Sequence, residues 1–332
     1  MFHTEIIHFI QSFETELLTK IFLFFTALGY KEFFFGFTII FIFGVDFKKG
    51  LALTHVIIIT GLLTELLKQL FSLPRPYHVD NKIKMLWTNK SNPSKFTGGG
   101  TDSFFGLPAE DIIQYYRTKT GTIFGLPSGH TSTAVTIWGS LILLYKNNWI
   151  KFISVLMLTA IPFSRLYLGR HFLGDVLAGY LLGGLLLLFF YNIYYKNRFR
   201  RFSSRSIKYS KKFFIHLIYL LFTPLIIFVI FPHVHTELSG ALLGINFLLV
   251  VFTAKGFPIL YSSLGKRIAS AFTALVFFSA SSFILYFILS TLLEQTDLLK
   301  FVSTAFITGF GIWLTAKICA GLKLLHLDHY KD

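Results

Sequence analysis

His171 and Asp175 stand four residues apart at the start of an apolar run, so on a helix they share a face and the carboxylate can accept the imidazole N–H. A histidine held that way keeps one tautomer and presents its other ring nitrogen for attack, the logic by which a carboxylate orients a nucleophile or base. Six residues earlier lies Arg165, preceded by Ser164, with a planar fork suited to phosphate oxygens. A second stretch, Pro127-Ser128-Gly129-His130, opens another apolar run. Ser128 suits an N-cap, the free amides of a helix start attract an anion, and Gly129 permits close backbone approach. His130 in the first turn can hand a proton to a departing oxygen. A third stretch supplies two cations, Lys68 and, after six residues, Arg75-Pro76. An ammonium inside an apolar helix costs about 2.5 to 3.5 kcal/mol, and Glu65, three residues earlier on the same face, can orient it. Each stretch also has an ordinary reading: a lysine that snorkels beside a glutamate, a capped helix with an interfacial histidine, an acid in the first turn of a helix.

The elements that must position these residues are membrane helices. The chain is 54% hydrophobic and only 14% charged, outside the range of a soluble domain. Runs such as Leu51 to Phe71, Phe172 to Tyr195, Phe213 to Phe231 and Ile268 to Leu293 each approach the ~20 residues that cross a bilayer as helix. The reading is an all-α, polytopic membrane helical bundle. Six spans fall near 17–29, 32–45, 50–72, 128–145, 149–168 and 172–195, and four more near 213–231, 237–253, 268–292 and 301–322. Residues 1–195 are thus a six-span core, 196–212 a basic linker, and 213–332 a C-terminal transmembrane extension. The net charge of +15 does not point to nucleic acid, because the basic residues sit in short runs between spans.

The linker, with Lys196, Arg198, Arg200, Arg201, Arg205, Lys208, Lys211 and Lys212 and no acid, belongs on the cytoplasmic side. Counting spans from it places Lys48, Lys49, Lys146, Lys151, Lys255, Lys266 and Arg267 inside and the long segment from Leu73 to Leu126 outside, with both termini cytoplasmic. Residues 1–20 lack a basic start, which argues against a cleaved signal and for an interfacial amphipathic segment. Gly98, Gly99 and Gly100 mark a flexible stretch in the long segment. The lone Cys319 excludes an intrachain disulfide.

This charge-derived topology brings all three polar stretches to one extracytoplasmic face, which three unrelated ordinary features would not require. Together they offer Lys68, Arg75 and Arg165 as cations, amides at Ser128 and Gly129, one nucleophile and one acid, a phosphoryl-transfer set with no metal.

In order and spacing, Lys68 with Arg75-Pro76, Pro127-Ser128-Gly129-His130, and Ser164-Arg165 with His171 and Asp175 resemble the three-part signature of the type 2 phosphatidic acid phosphatase superfamily. The resemblance spans residues 10–195 and fills every signature position. It implies a bacterial membrane lipid phosphate phosphatase of the inner membrane, using no cofactor. In it His171 forms a phosphohistidine, Asp175 orients it and His130 protonates the leaving alcohol. Lys68, Arg75, Ser128, Gly129 and Arg165 hold the phosphate, supported by Glu65, Pro76, Pro127 and Ser164. The partners expected are a lipid phosphate substrate and membrane lipids. Two features depart from the family pattern. One is the long loop from Tyr77 to Gly125 with Trp87, Phe104, Phe105, Tyr115 and Tyr116, read as a lid, a membrane-dipping segment or a solvated loop. The other is the C-terminal extension, where His216, His233, His235 and Lys255 stand out and the two close histidines are too few for a metal site. The same intermediate discharged to another hydroxyl would make a lipid phosphotransferase. A non-catalytic lipid transporter or scaffold would need the cations but no oriented nucleophile.

Overall fold

The computed structural model describes residues 1–88, 90–192, 211–231, 236–292 and 296–327, with the side chains of 211–217, 219 and 290 excepted. All but the last two residues of the basic linker, together with His233, His235, Glu294 and the side chain of His216, lie outside the described residues. The helices run α1 Glu5–Gln11, α2 Glu16–Ala27, α3 Lys31–Ile40, α4 Phe47–Phe71, α5 Pro76–Val79, α6 Glu110–Thr118, α7 Gly129–Leu144, α8 Asn148–Tyr167 and α9 Leu173–Phe190. They continue as α10 Lys211–Ile230, α11 Thr236–Lys255, α12 Leu264–Leu292, α13 Asp297–Phe306 and α14 Ile312–Gly321. Among the described residues the only strands are β1 Ile259–Leu260 and β2 Leu325–His326, paired antiparallel.

The fold is the polytopic helical bundle expected from the sequence. Six helical runs are long and apolar enough to cross a membrane, or seven if α2 and the run Lys31–Val45, bent by 56°, count as one broken span. The remaining expected spans are shorter pieces. α2 has 12 residues, roughly 18 Å at 1.5 Å per residue against a hydrocarbon core of about 30 Å. α7 has 16 residues and buries the hydroxyls of Thr131, Ser132, Thr133, Thr136 and Ser140, so it is a polar-lined element of the bundle interior.

The chain divides into two compact units, Met1–Phe33 with Leu63–Tyr191, and Phe34–Leu62 with Asn192–Asp332. The segment Phe34–Leu62 therefore groups with the C-terminal part, not with the rest of the six-span core drawn from sequence. Its apolar residues explain this, since Ile39, Phe43, Leu51 and Leu62 share one core cluster with Leu242, Leu249, Phe278 and Ile312.

In the first unit α7 and α9 come close because Gly179 and Gly183, four apart, face the Ser128 and Ser132 carbonyls, the small-residue contact that membrane helices favour. Thr64 Oγ1 and Ser132 Oγ, 2.8 Å apart, tie α4 to α7. At the end of the unit that carries α5 and α6, Phe2, Ile7, Val79, Ile83, Ile113 and Phe172 form a core of their own. This corrects three expectations. The N-terminal segment is not simply interfacial, because α1 buries Ile7 and Gln11, and Gln11 Nε2 donates to the carbonyls of Lys84 (2.9 Å) and Tyr167 (3.1 Å). It lies at the same end as the long loop, with His8 Nε2 2.9 Å from Asp80 Oδ2, so the N-terminus and the loop do not occupy opposite faces. Both termini on one side and the loop on the other do not hold together. Nor is the triple glycine a slack tether: a Cβ on Gly99 would strike Ile112 and come within 2.8 Å of the Val79 carbonyl, and one on Gly100 would stand 3.0 Å from that of Phe2. Those glycines let the loop close onto α1, α5 and α6.

In the second unit α11 lies against α13 through Gly240 and Gly244, where any side chain would meet Phe301, Thr304, Ala305 or Thr308. Asn246 Nδ2 donates to the Leu220 carbonyl at 2.7 Å, giving one buried polar group a partner in apolar surroundings.

Candidate active site

The turn between α8 and α9 is built first by the backbone. Gly169 adopts φ +70°, a left-handed conformation that favours glycine. The amides of Arg170 (2.9 Å) and His171 (3.2 Å) both donate to the Arg165 carbonyl. That folds the chain back so that His171 precedes α9 directly. Asp175 in the first turn of α9 then does two things with one oxygen: its Oδ2 lies 3.1 Å from His171 Nδ1 and accepts from the Phe172 amide at 3.0 Å. His171 is 2% exposed and Asp175 fully buried. Gly125 makes room for the carboxylate, since a Cβ there would stand 2.7 Å from Asp175 Oδ2. Burial, followed by the positive charges of Arg75, Arg165, Lys68 and His130, pushes the pKa of His171 well below its ordinary 6.5, so the ring is neutral at pH 7.

The same three cations also dominate the field at His130, so the structure gathers the three separate sequence stretches about two imidazoles. Lys68 is buried on α4 and hydrogen-bonds Glu65. Arg75 is buried where α4 leads into α5, its Nε donating to the carbonyls of Ile123 (3.0 Å) and Phe124 (3.3 Å). Pro76 is the first residue of α5, where the missing amide costs nothing. Arg165, also buried, donates through Nη1 to Thr26. Ser164 Oγ turns back to the Ile161 carbonyl at 2.6 Å and is a packing residue of α8. Gly129 lies at the cationic end of α4, its Cβ position 3.8 Å from Lys68 Nζ.

Ser128 departs from expectation. It occupies the N-cap position of α7, but its side chain makes no capping bond and Oγ accepts from Thr131 Oγ1 at 3.0 Å. Its amide, expected to face an anion, donates to the Asp175 carbonyl at 2.9 Å. The residue ties α7 to α9 beside the preceding, equally buried Pro127, which leaves the amides from Gly129 onward for an anion.

Several neighbours were not legible in the sequence. Tyr30 meets His130 edge to face at 4.7 Å, with Gly29 packed on the imidazole. Thr26 holds Arg165, and Gly125 seats the carboxylate. Arg170 lies over the Trp87 ring at 4.3 Å from its centroid, and Trp87 in turn meets Tyr77 at 5.0 Å. Of the loop aromatics, Trp87 and Tyr77 thus reach the neighbourhood of the site. Tyr116 stacks on His78 at 4.3 Å, while Phe104 and Phe105 are exposed. His130 Nε2, Arg165 Nε, Arg170 Nε and Asp175 Oδ1 are buried with no hydrogen-bond partner. Three of those four atoms are on groups that an oxyanion satisfies.

Comparison with known proteins agrees with this arrangement. Residues 49–199 match the model of the PAP2 superfamily. Over 76 residues the chain is 33% identical to the lipid A 4'-phosphatase of Bacteroides thetaiotaomicron, which is 23% of this chain and 34% of that protein. The chain thus matches about a third of that relative's length. Among solved structures, LpxE of Aquifex aeolicus aligns with 58% of this chain and 96% of its own at 25% identity and a TM-score of 0.42. A transmembrane PAP2 type phosphatidylglycerolphosphate phosphatase of Bacillus subtilis aligns with 61% of this chain and 86% of its own at 20% identity and a TM-score of 0.41. Residues 49–199 of this membrane chain are a PAP2 superfamily domain.

Proposed function

We propose that the chain is a membrane lipid phosphate phosphatase that works through a phosphohistidine. The observation that carries this reading is the buried His171–Asp175 pair under the combined field of Lys68, Arg75 and Arg165. Asp175 accepts the Nδ1 proton and fixes the tautomer, so Nε2 carries the lone pair. Nε2 attacks phosphorus, the phosphorus–oxygen bond to the lipid breaks, and the departing oxygen takes a proton from His130. Water, giving a proton back to His130, then attacks phosphorus, and the phosphorus–nitrogen bond breaks to release phosphate. The three cations and the amides from Gly129 onward neutralise the equatorial oxygens as charge builds, the role a metal takes in other phosphoryl transfers.

The face is read as extracytoplasmic from the basic linker 196–212 and the inner lysines, with the N-terminal segment on that same side. A substrate would enter from the outer leaflet with its chain against apolar helix faces. The name of the matched Bacteroides relative makes a lipid A phosphate the first compound to try, beside phosphatidate, a sphingoid phosphate and a prenyl diphosphate. The test is phosphate release from this panel by purified wild-type and His171→Ala protein in detergent, with and without EDTA and vanadate. The reading expects release on at least one lipid, inhibition by vanadate, persistence in EDTA and loss in the variant. Equal rates in the two proteins would sink it, and complete loss in EDTA would sink the metal-free mechanism.

A further inference from the structure

Arg170 is not one of the signature positions, yet it stands at the site. Its backbone is fixed by the Gly169 turn and the bond to the Arg165 carbonyl. Its guanidinium lies flat enough over Trp87 to be held as a plane, 4.3 Å from the ring centroid, which leaves the N–H edges for a ligand. Among the described residues no carboxylate lies within ion-pair distance of it, and Nε is buried with no partner. An arginine in this state lacks the anion that burial ordinarily requires.

Its position relative to the two imidazoles is informative. The charges that act most strongly on His171 are Arg75, Arg165, Lys68 and His130, whereas at His130 Arg170 joins the three shared cations. Tyr30 connects the two: it packs on His130 at 4.7 Å and is the leading charged-form neighbour of Arg170. Arg170 therefore belongs with the proton donor, on the side from which the leaving group departs in an in-line displacement.

On the phosphatase reading, from which it follows, we infer that Arg170 is a specificity residue that binds a phosphate carried by the leaving group, so that lipid diphosphates are favoured over monophosphates. In that reaction His171 attacks the terminal phosphorus, the bond to the bridging oxygen breaks, and the lipid monophosphate that leaves takes its proton from His130. Arg170 neutralises the charge that remains on that monophosphate, and a neutral alcohol leaving group gives it nothing to bind.

The experiment compares one prenol as diphosphate and as monophosphate, measuring kcat/KM for wild type, Arg170→Gln and Arg170→Lys. The diphosphate-to-monophosphate ratio should fall by about tenfold or more in Arg170→Gln, as expected for loss of a charged hydrogen-bonded pair, and partly recover in Arg170→Lys. Thermal melting of each variant reports folding separately, and the ratio is insensitive to the fraction of active protein. A ratio unchanged within twofold, or both activities lost together, overturns the role of Arg170 while leaving the phosphatase reading intact. A wild type that releases phosphate from neither compound, nor from any lipid of the wider panel, overturns the phosphatase reading and this inference with it.

Discussion

Among the described residues every buried lysine, arginine and aspartate belongs to the first unit: Lys68, Arg75, Asp80, Arg165 and Asp175, with His171 beside them. The second unit buries His55 and neutral side chains such as Thr60, Ser239, Asn246 and Thr315, around a core of leucine, isoleucine and phenylalanine. Both units are built from the same kind of apolar helix, so helix chemistry alone does not explain the difference. Buried charge is costly unless it is paired or matched to a ligand. In the first unit the cations outnumber the nearby carboxylates, and that imbalance is what an oxyanion would correct. The second unit carries no such imbalance and reads as packing.

Substitutions that separate chemistry from packing sharpen this contrast. The largest effect is expected from His171→Gln, which should lower kcat on a lipid phosphate by about a thousandfold or more while the melting temperature moves little. If the second unit lost activity per folded molecule as steeply on a core change, the contrast would fail. Next comes Asp175→Asn, expected to cost about a hundredfold or more in kcat with KM nearly unchanged, because an amide no longer selects the Nδ1–H tautomer. Gly125→Ala should follow, at about tenfold or more, since the added methyl displaces the Asp175 carboxylate, 2.7 Å from its position, and with it the imidazole. Gly240→Val in the second unit should do the reverse. The side chain collides with Phe301 and Thr304 and should destabilise by about 1 to 3 kcal/mol, with specific activity of the folded fraction changed less than twofold.

The smallest effect is on pH. Because the folded pKa of His171 lies well below the ordinary 6.5, the unfolded chain binds a proton there that the folded chain refuses. The stability is present above pH 6.5 and is lost as pH falls, at up to about 1.4 kcal/mol per unit. Thermal melts from pH 7.5 to 5 should show this slope in wild type and a shallower one in His171→Gln. Equal slopes would remove His171 from the account of acid sensitivity.

The bundle and the three polar stretches were legible because each leaves a local signal: long apolar runs, a histidine and an aspartate four apart, a lysine inside an apolar helix. What was not legible depends on distant contacts. Tyr30 and Thr26 reach the site only because α2 lies against α8, and Gly125 matters only because Asp175 fills the space beside it. The N-terminal segment was misplaced for a related reason. Charge bias and span counting treat each span as a full crossing, whereas α2 and α3 are short pieces bent at the Gly29–Tyr30 break, so parity is lost there. Burial of Ile7 against Val79 and Ile83, a contact no local pattern announces, puts the segment beside the loop. Ser128 shows the limit of motif reading at a single residue: an N-cap position by type, its amide is nonetheless taken by Asp175.

The central claim is that one buried imidazole becomes covalently bonded to phosphorus. It is tested most directly by acid- and alkali-resolved quench labelling with a lipid phosphate radiolabelled in its phosphate, using wild type, His130→Asn and His171→Gln. The account predicts protein-bound label that survives alkali and is lost in acid, more abundant in His130→Asn and absent in His171→Gln. Label that persists in His171→Gln, or none in any protein that turns over the lipid, would contradict it.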